Sequence, residues 1–77
     1  MTEPLEAVPK FIQLANLIAE QIKRGELVPG QPLPSETTLQ QRHEVSRGTV
    51  RAAMRELRER GLVYTVQAHG TYVVDRS

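Results

Sequence analysis

Five arginines, at positions 47, 51, 55, 58 and 60, fall within the stretch "SRGTVRAAMRELRER" that begins at Ser46. A guanidinium keeps its charge and presents a planar fork of N–H donors, a shape that suits phosphate oxygens and the edges of bases. The formal net charge of the chain is only +1, yet this stretch sets its five arginines against Glu56 and Glu59 alone. Residues 9 to 45 balance four bases with four acids, and residues 1 to 8 contribute Glu3 and Glu6. Positive charge is thus concentrated in one segment, as in an element that binds a polyanion. Charge alone fits a solvated helix face with internal Glu/Arg pairs just as well, so the placement of the residues has to decide.

At about 100° per residue, Val50, Ala53, Met54 and Leu57 form the inward stripe of a helix. Arg47, Arg51, Arg55 and Arg58 then line one flank, Gly48 and Ala52 lie opposite the core, and Thr49 takes the other shoulder. A helix that enters a DNA major groove needs small residues where its backbone comes closest, and arginines that reach guanine edges or phosphates. Ser46 has the chemistry of an N-cap, and the free N–H groups of that first turn favour a nearby phosphate. Glycine inside a helix costs about 1 kcal/mol relative to alanine, so close approach of a partner explains Gly48 better than chance does.

Other chemistries find less support. His43 and His69 are the only histidines, and without cysteine or a clustered carboxylate they do not make a tetrahedral metal site. No nucleophile with an evident base and no nucleotide-type glycine loop is present, so neither catalysis, a cofactor nor a metal is expected. With no cysteine, disulfides are excluded. No apolar run approaches the roughly 18 residues of a membrane span, and "MTEPLEAVP" lacks the pattern of a signal peptide. A soluble, cytoplasmic protein without membrane contact is expected.

The elements that must hold the arginine flank follow from periodicity. At 77 residues the chain is one small domain. Residues 1 to 8 read as a flexible leader, 9 to 75 as the folded domain, and 76 and 77 as the chain end or the start of a linker. From Pro9, suited to a first helical turn, Phe11, Leu14, Ala15, Ile18, Ala19 and Ile22 mark one buried stripe, which Gly25 ends. "GELVPGQPLP" is a turn that points Leu27 and Leu33 inward. Ser35 caps a short helix that runs to about Arg42 with Leu39 inward. "HEVS" is a tight turn plugged by Val45, and the arginine-bearing helix from Ser46 stops at Gly61. "LVYTV" and "TYVV", separated by "QAHG", read as a β-hairpin. The expected fold is mainly α with a small β-hairpin, a winged helix-turn-helix of three helices and a two-stranded wing.

The span "GELVPGQPLPSETTLQQRHEVSRGTVRAAMRELRERGLVYTVQAHGTYV" resembles the N-terminal DNA-binding domain of the GntR family of bacterial transcription regulators, with a HutC-like subfamily as one option. "LPSE", "VSRGTVR", "ERGLV" and "GTYV" stand in the family's order and spacing, over about Pro9 to Val74. The resemblance implies that the helix at "VSR" is the recognition helix and that the hairpin tip enters the minor groove. It also implies DNA contacts from Ser46, Arg47, Gly48, Thr49 and Arg51, and a phosphate contact from Ser35. Arg55, on the same flank, and His69, Gly70 and Thr71 in the wing complete the candidate set. Four positions depart from the family pattern: Ala68 and His69 replace a glycine and a basic residue at the wing tip, Thr37 replaces a DNA-contacting arginine common in the family, and Glu44 stands where glycine is frequent.

The function expected from residues and resemblance together is sequence-specific binding of double-stranded operator DNA to regulate transcription, with repression the family's common mode. A winged helix serving as a protein-interaction module without DNA binding is the competing reading. The resemblance further implies a homodimer on a near-palindromic operator, and a small-molecule effector bound only through a C-terminal domain outside this chain.

Overall fold

A computed structural model of the chain describes residues 8–75; the expected leader, apart from Val8, and residues 76 and 77 lie outside the described residues. Three helices, α1 (Lys10–Lys23), α2 (Glu36–His43) and α3 (Arg47–Glu59), precede two strands, β1 (Val63–Val66) and β2 (Gly70–Val73). The strands pair antiparallel with Val63 opposite Val73 and Val66 opposite Gly70. This is the winged helix-turn-helix expected from the sequence.

The core is the set of side chains that the helical and strand periods turn inward. Leu14, Ala15 and Ile18 of α1, Leu39 of α2, and Val50, Ala53, Met54 and Leu57 of α3 are buried, with Leu33, Val63 and Val73 closing the far end. Phe11, Ala19, Ile22, Leu27, Val45 and Leu62 pack around this centre at partial burial. All four residues of the expected α3 stripe are buried, and α3 packs on both α1 and α2. A helix held on two sides can present only its remaining face, which fixes the direction in which the arginine flank points.

Local chemistry sets the element ends. Ser35 and Ser46 cap α2 and α3 alike, each Oγ accepting from the backbone N–H of the residue three places on, Thr38 and Thr49, at 3.1 Å. Such caps satisfy donors that the first turn leaves unpaired. Pro9 differs from the expectation by one place: it stands at the N-cap of α1, where its carbonyl accepts from Ile12 and Gln13. The turn between α2 and α3 is made by Glu44, which adopts the left-handed conformation at φ 54°. That geometry explains why glycine suits this position, since a Cβ is strained there.

The loop before α2 does more than turn. Pro32 bridges to Tyr72 as an isolated antiparallel pair, and the Leu33 N–H donates to the Thr71 carbonyl at 2.7 Å. The "QPLP" segment therefore joins the free edge of β2, and the wing is anchored to the α2 end of the domain as well as to α3.

Candidate nucleic-acid interface

The outward surface of α3, the start of α2 and the wing enclose an open groove of about 780 Å³. Ser35, Arg51, Arg55, His69, Gly70 and Thr71 of the candidate set line it, together with Glu36 and Arg58. Ser46, Arg47, Gly48 and Thr49 do not line the groove; they form the first turn of α3, one turn before Arg51. The structure thus gathers six of the ten candidate residues around one groove and sets the other four at the start of α3.

Along α3 the arginines have different surroundings. Arg47 and Arg51 converge on the carboxylate of Glu36, with Arg47 Nε 3.5 Å from one oxygen and Arg51 Nε 3.1 Å from the other. Arg55 is exposed and, among the described residues, makes no ion pair or side-chain hydrogen bond. Arg58 donates to Thr65 Oγ1 at 3.0 Å, and Thr65 Oγ1 lies 3.2 Å from Thr71 Oγ1 across the hairpin. Arg60 pairs within its own helix with Glu56 at 2.9 Å. The last two arginines are therefore engaged by the protein itself.

Two candidate hydroxyls are engaged as well. Ser46 Oγ lies 3.0 Å from Thr49 Oγ1, and Ser35 Oγ donates to Thr38 Oγ1 at 2.9 Å. Both serines remain exposed despite their capping roles. A phosphate oxygen only accepts, so contact with one uses the hydroxyl proton: Ser46 can keep its capping bond and turn its proton outward, whereas Ser35 must first give up its bond to Thr38 Oγ1.

Gly48 is exposed on the outward face, and a Cβ built there would meet only Ser46 Oγ, at 3.9 Å. Its φ is unremarkable for a helix, and nothing inside the domain requires glycine at this position. In the wing, by contrast, Ala68 takes φ 68° and Gly70 φ 121°. The hairpin turn closes through the His69 N–H donating to the Val66 carbonyl at 3.0 Å. Ala68 thus stands in a left-handed conformation where glycine would be unstrained, and His69 projects from an exposed tip.

The period of two along the strands explains why the wing faces the helix as it does. Val63 and Val73 enter the core; two residues toward the tip on the same face, Thr65 accepts from Arg58 and Thr71 lies against Thr65. The opposite face carries Tyr64 and Tyr72, stacked with ring centroids 5.8 Å apart. In the sequence Glu36 stands only within "LPSE", and Arg58 only as a member of the basic flank. The signal for the first lay in the charge complement between "SE" and "SRGTVR"; for the second, in two threonines directly opposite each other in the hairpin.

Among the described residues no cluster of three or more His, Cys, Asp or Glu side chains is placed to hold a metal ion, and no helix is long and apolar enough to cross a membrane. The side chains buried in the described fold are all apolar.

A basic, small-faced helix beside a hairpin wing defines the chain as a winged helix-turn-helix domain of the nucleic-acid-binding type. More particularly, the model of the bacterial regulatory proteins of the gntR family matches residues 12–73, and the chain belongs to that family. It is 51% identical over 65 residues to the mannosyl-D-glycerate transport/metabolism system repressor MngR of Escherichia coli (strain K12), covering 84% of this chain and 27% of that one. Over 66 residues it is 41% identical to the HTH-type transcriptional repressor NagR of Bacillus subtilis (strain 168), covering 86% of this chain and 27% of the relative. The chain therefore spans about a quarter of the length of these relatives. Among solved structures, the DNA-binding domain of AraR in complex with operator ORX1 superposes with a TM-score of 0.84 at 38% identity, covering 96% of this chain and 92% of the other.

Proposed function

We propose that this chain is the operator-binding part of a bacterial transcription regulator, and that the first two turns of α3 read the major groove. The observation that carries the reading is the pairing of Gly48 with the flank of Arg47, Arg51 and Arg55. An exposed glycine that no internal contact requires lies beside guanidiniums of which, among the described residues, Arg47 and Arg51 share one half-exposed carboxylate and Arg55 has no ion pair. A solvated helix gains nothing from that glycine; a helix whose backbone must approach bases does.

In this reading Arg47 and Arg51 make the main base or phosphate contacts, Thr49 a secondary one, and Arg55 extends the basic track into the groove. Ser35 and Ser46 place the N-termini of α2 and α3 against phosphates. His69, Gly70 and Thr71 bring the wing beside the duplex, His69 supplying positive charge only when protonated. The chain acts by binding and not by catalysis, in the cytoplasm where bacterial DNA lies. Repression is the inferred mode, supported by the named repressors MngR and NagR. Two copies on a near-palindrome would set their recognition helices about 34 Å apart, one turn of the duplex, with dimerisation and any small-molecule effector assigned to a domain beyond this chain.

Selection from a random duplex pool supplies the test ligand and reveals site symmetry. Arg47→Ala and Arg51→Ala should each weaken binding to the selected duplex by about 1–3 kcal/mol in fluorescence anisotropy at fixed salt. Wild-type affinity should fall steeply as salt rises. Unchanged affinity in both variants would remove the assignment of α3 as the reading element.

A further inference from the structure

Glu36 is the first helical residue of α2, a position where an anionic side chain is favoured by the helix dipole. Its two carboxylate oxygens are divided between two residues of the neighbouring helix, one facing Arg47 Nε and the other accepting from Arg51 Nε. Nothing in the stability of the fold calls for this bridge. The arginine side chains are 63% and 56% exposed and the glutamate 42%, a setting in which ion pairs contribute little to folding.

The bridge has a clear consequence for what the arginines can hold. A guanidinium approached on its Nε edge is fixed in plane, and its two terminal nitrogens remain as an outward fork that matches O6 and N7 of guanine. The carboxylate between the two forks repels the full charge of a phosphate more strongly than the partial charges of guanine O6 and N7, and it leaves the three-residue group with one net positive charge instead of two. Discrimination built from an attractive and a repulsive element together is stronger than attraction alone. Residues four apart on a helix are separated by about 6 Å along its axis, and base pairs by about 3.4 Å, so the two forks address bases within about two steps of each other.

We propose that Glu36 is a specificity-determining residue: it orients Arg47 and Arg51 toward guanine edges and sets them against phosphate, so that the pair reads sequence instead of clamping backbone. The proposal rests on α3 being the reading element.

The test uses the 77-residue chain, a duplex selected by it from a random pool, and a scrambled duplex of the same length and composition. Glu36→Gln removes the charge, and Glu36→Asp keeps the charge on a stem too short to span both arginines. For Glu36→Gln the affinity for the scrambled duplex should rise, with a steeper salt dependence, while the ratio of selected to scrambled affinity falls on the order of tenfold. For Glu36→Asp the scrambled duplex should stay weakly bound while the selected duplex loses affinity, again lowering the ratio. A ratio unchanged in both variants, or one that rises, overturns the proposal; equal gains on both duplexes in Glu36→Gln with a wild-type ratio in Glu36→Asp would reduce Glu36 to a bystander charge. The double variant Arg47→Ala/Arg51→Ala separates the two levels. If it binds the selected duplex as the wild type does, the placement of the reading element fails and the proposal with it; if it loses affinity while the Glu36 variants keep the ratio, only the role of Glu36 fails.

Discussion

Arg51 and Arg58 lie about two turns apart on the same flank of α3, yet the two ends of that helix are built for different purposes. At the N-terminal end, Arg47 and Arg51 share a single exposed carboxylate from another helix, and Gly48 leaves open space beside them. At the C-terminal end, Arg58 is tied to a threonine pair that spans the hairpin, and Arg60 to Glu56 of its own turn. Contacts of the first kind are exposed and contribute little to folding. Of the second kind, the bond from Arg58 to Thr65 joins α3 to the wing, and the pair of Arg60 with Glu56 stays within the last turn of α3. One residue type, at one helical spacing, thus supplies the surface proposed to read DNA at one end and a tie to the wing at the other.

The sharpest break in this comparison is one that removes its common base. Leu57 is fully buried where α3 meets the core. Leu57→Ala should cost about 2–5 kcal/mol, seen as a lower urea midpoint, and both ends of α3 should lose their placement together. A loss below that range would mean that the C-terminal half of α3 is held chiefly by the wing.

Gly48→Ala separates stability from binding. Folding stability should rise by up to about 1 kcal/mol, because alanine favours the helix and the new Cβ meets no atom closer than 3.9 Å. Affinity for the selected duplex should fall in the same preparation. Parallel gains in melting temperature and affinity would show that the helix backbone is not approached closely at its start.

Arg58→Ala probes the other end. Removing a largely exposed hydrogen bond should cost at most about 1 kcal/mol in stability, and the loss in duplex affinity should be smaller than that of Arg51→Ala. An affinity loss as large as that of Arg51→Ala would place Arg58 on the DNA and erase the distinction between the two ends. The smallest effect belongs to the hairpin tip. Ala68→Gly relieves a residue at φ 68° but also frees the unfolded chain, for a net gain of a few tenths of a kcal/mol by thermal melting. A clear loss would show that Ala68 makes a contact that offsets its backbone strain.

Much of the architecture was legible because it depends on period and punctuation. The buried stripe of α3 followed from apolar spacing, the starts of α2 and α3 from two serines, and the wing from β-branched runs around a turn. The site was legible to the extent that it lies on one helix, since a wheel places Arg47, Gly48 and Arg51 relative to the core. It failed where partners come from elsewhere in the chain. Glu36 stood only within "LPSE" and is a bridge to α3, and "QPLP" looked like a turn and also pairs with β2.

By itself, then, the sequence determined which residues face inward, where each helix begins, and that positive charge and small side chains share one outward surface. These are local properties, fixed by side-chain chemistry and helical or strand geometry within a few residues. Only the tertiary structure decided which arginines stay open to a ligand and which are held by the protein. That outcome depends on distances between side chains 7 to 15 residues apart in sequence, as from Arg58 to Thr65 and from Glu36 to Arg51. No periodicity encodes such distances, because they are set by how α2 and the wing pack against α3.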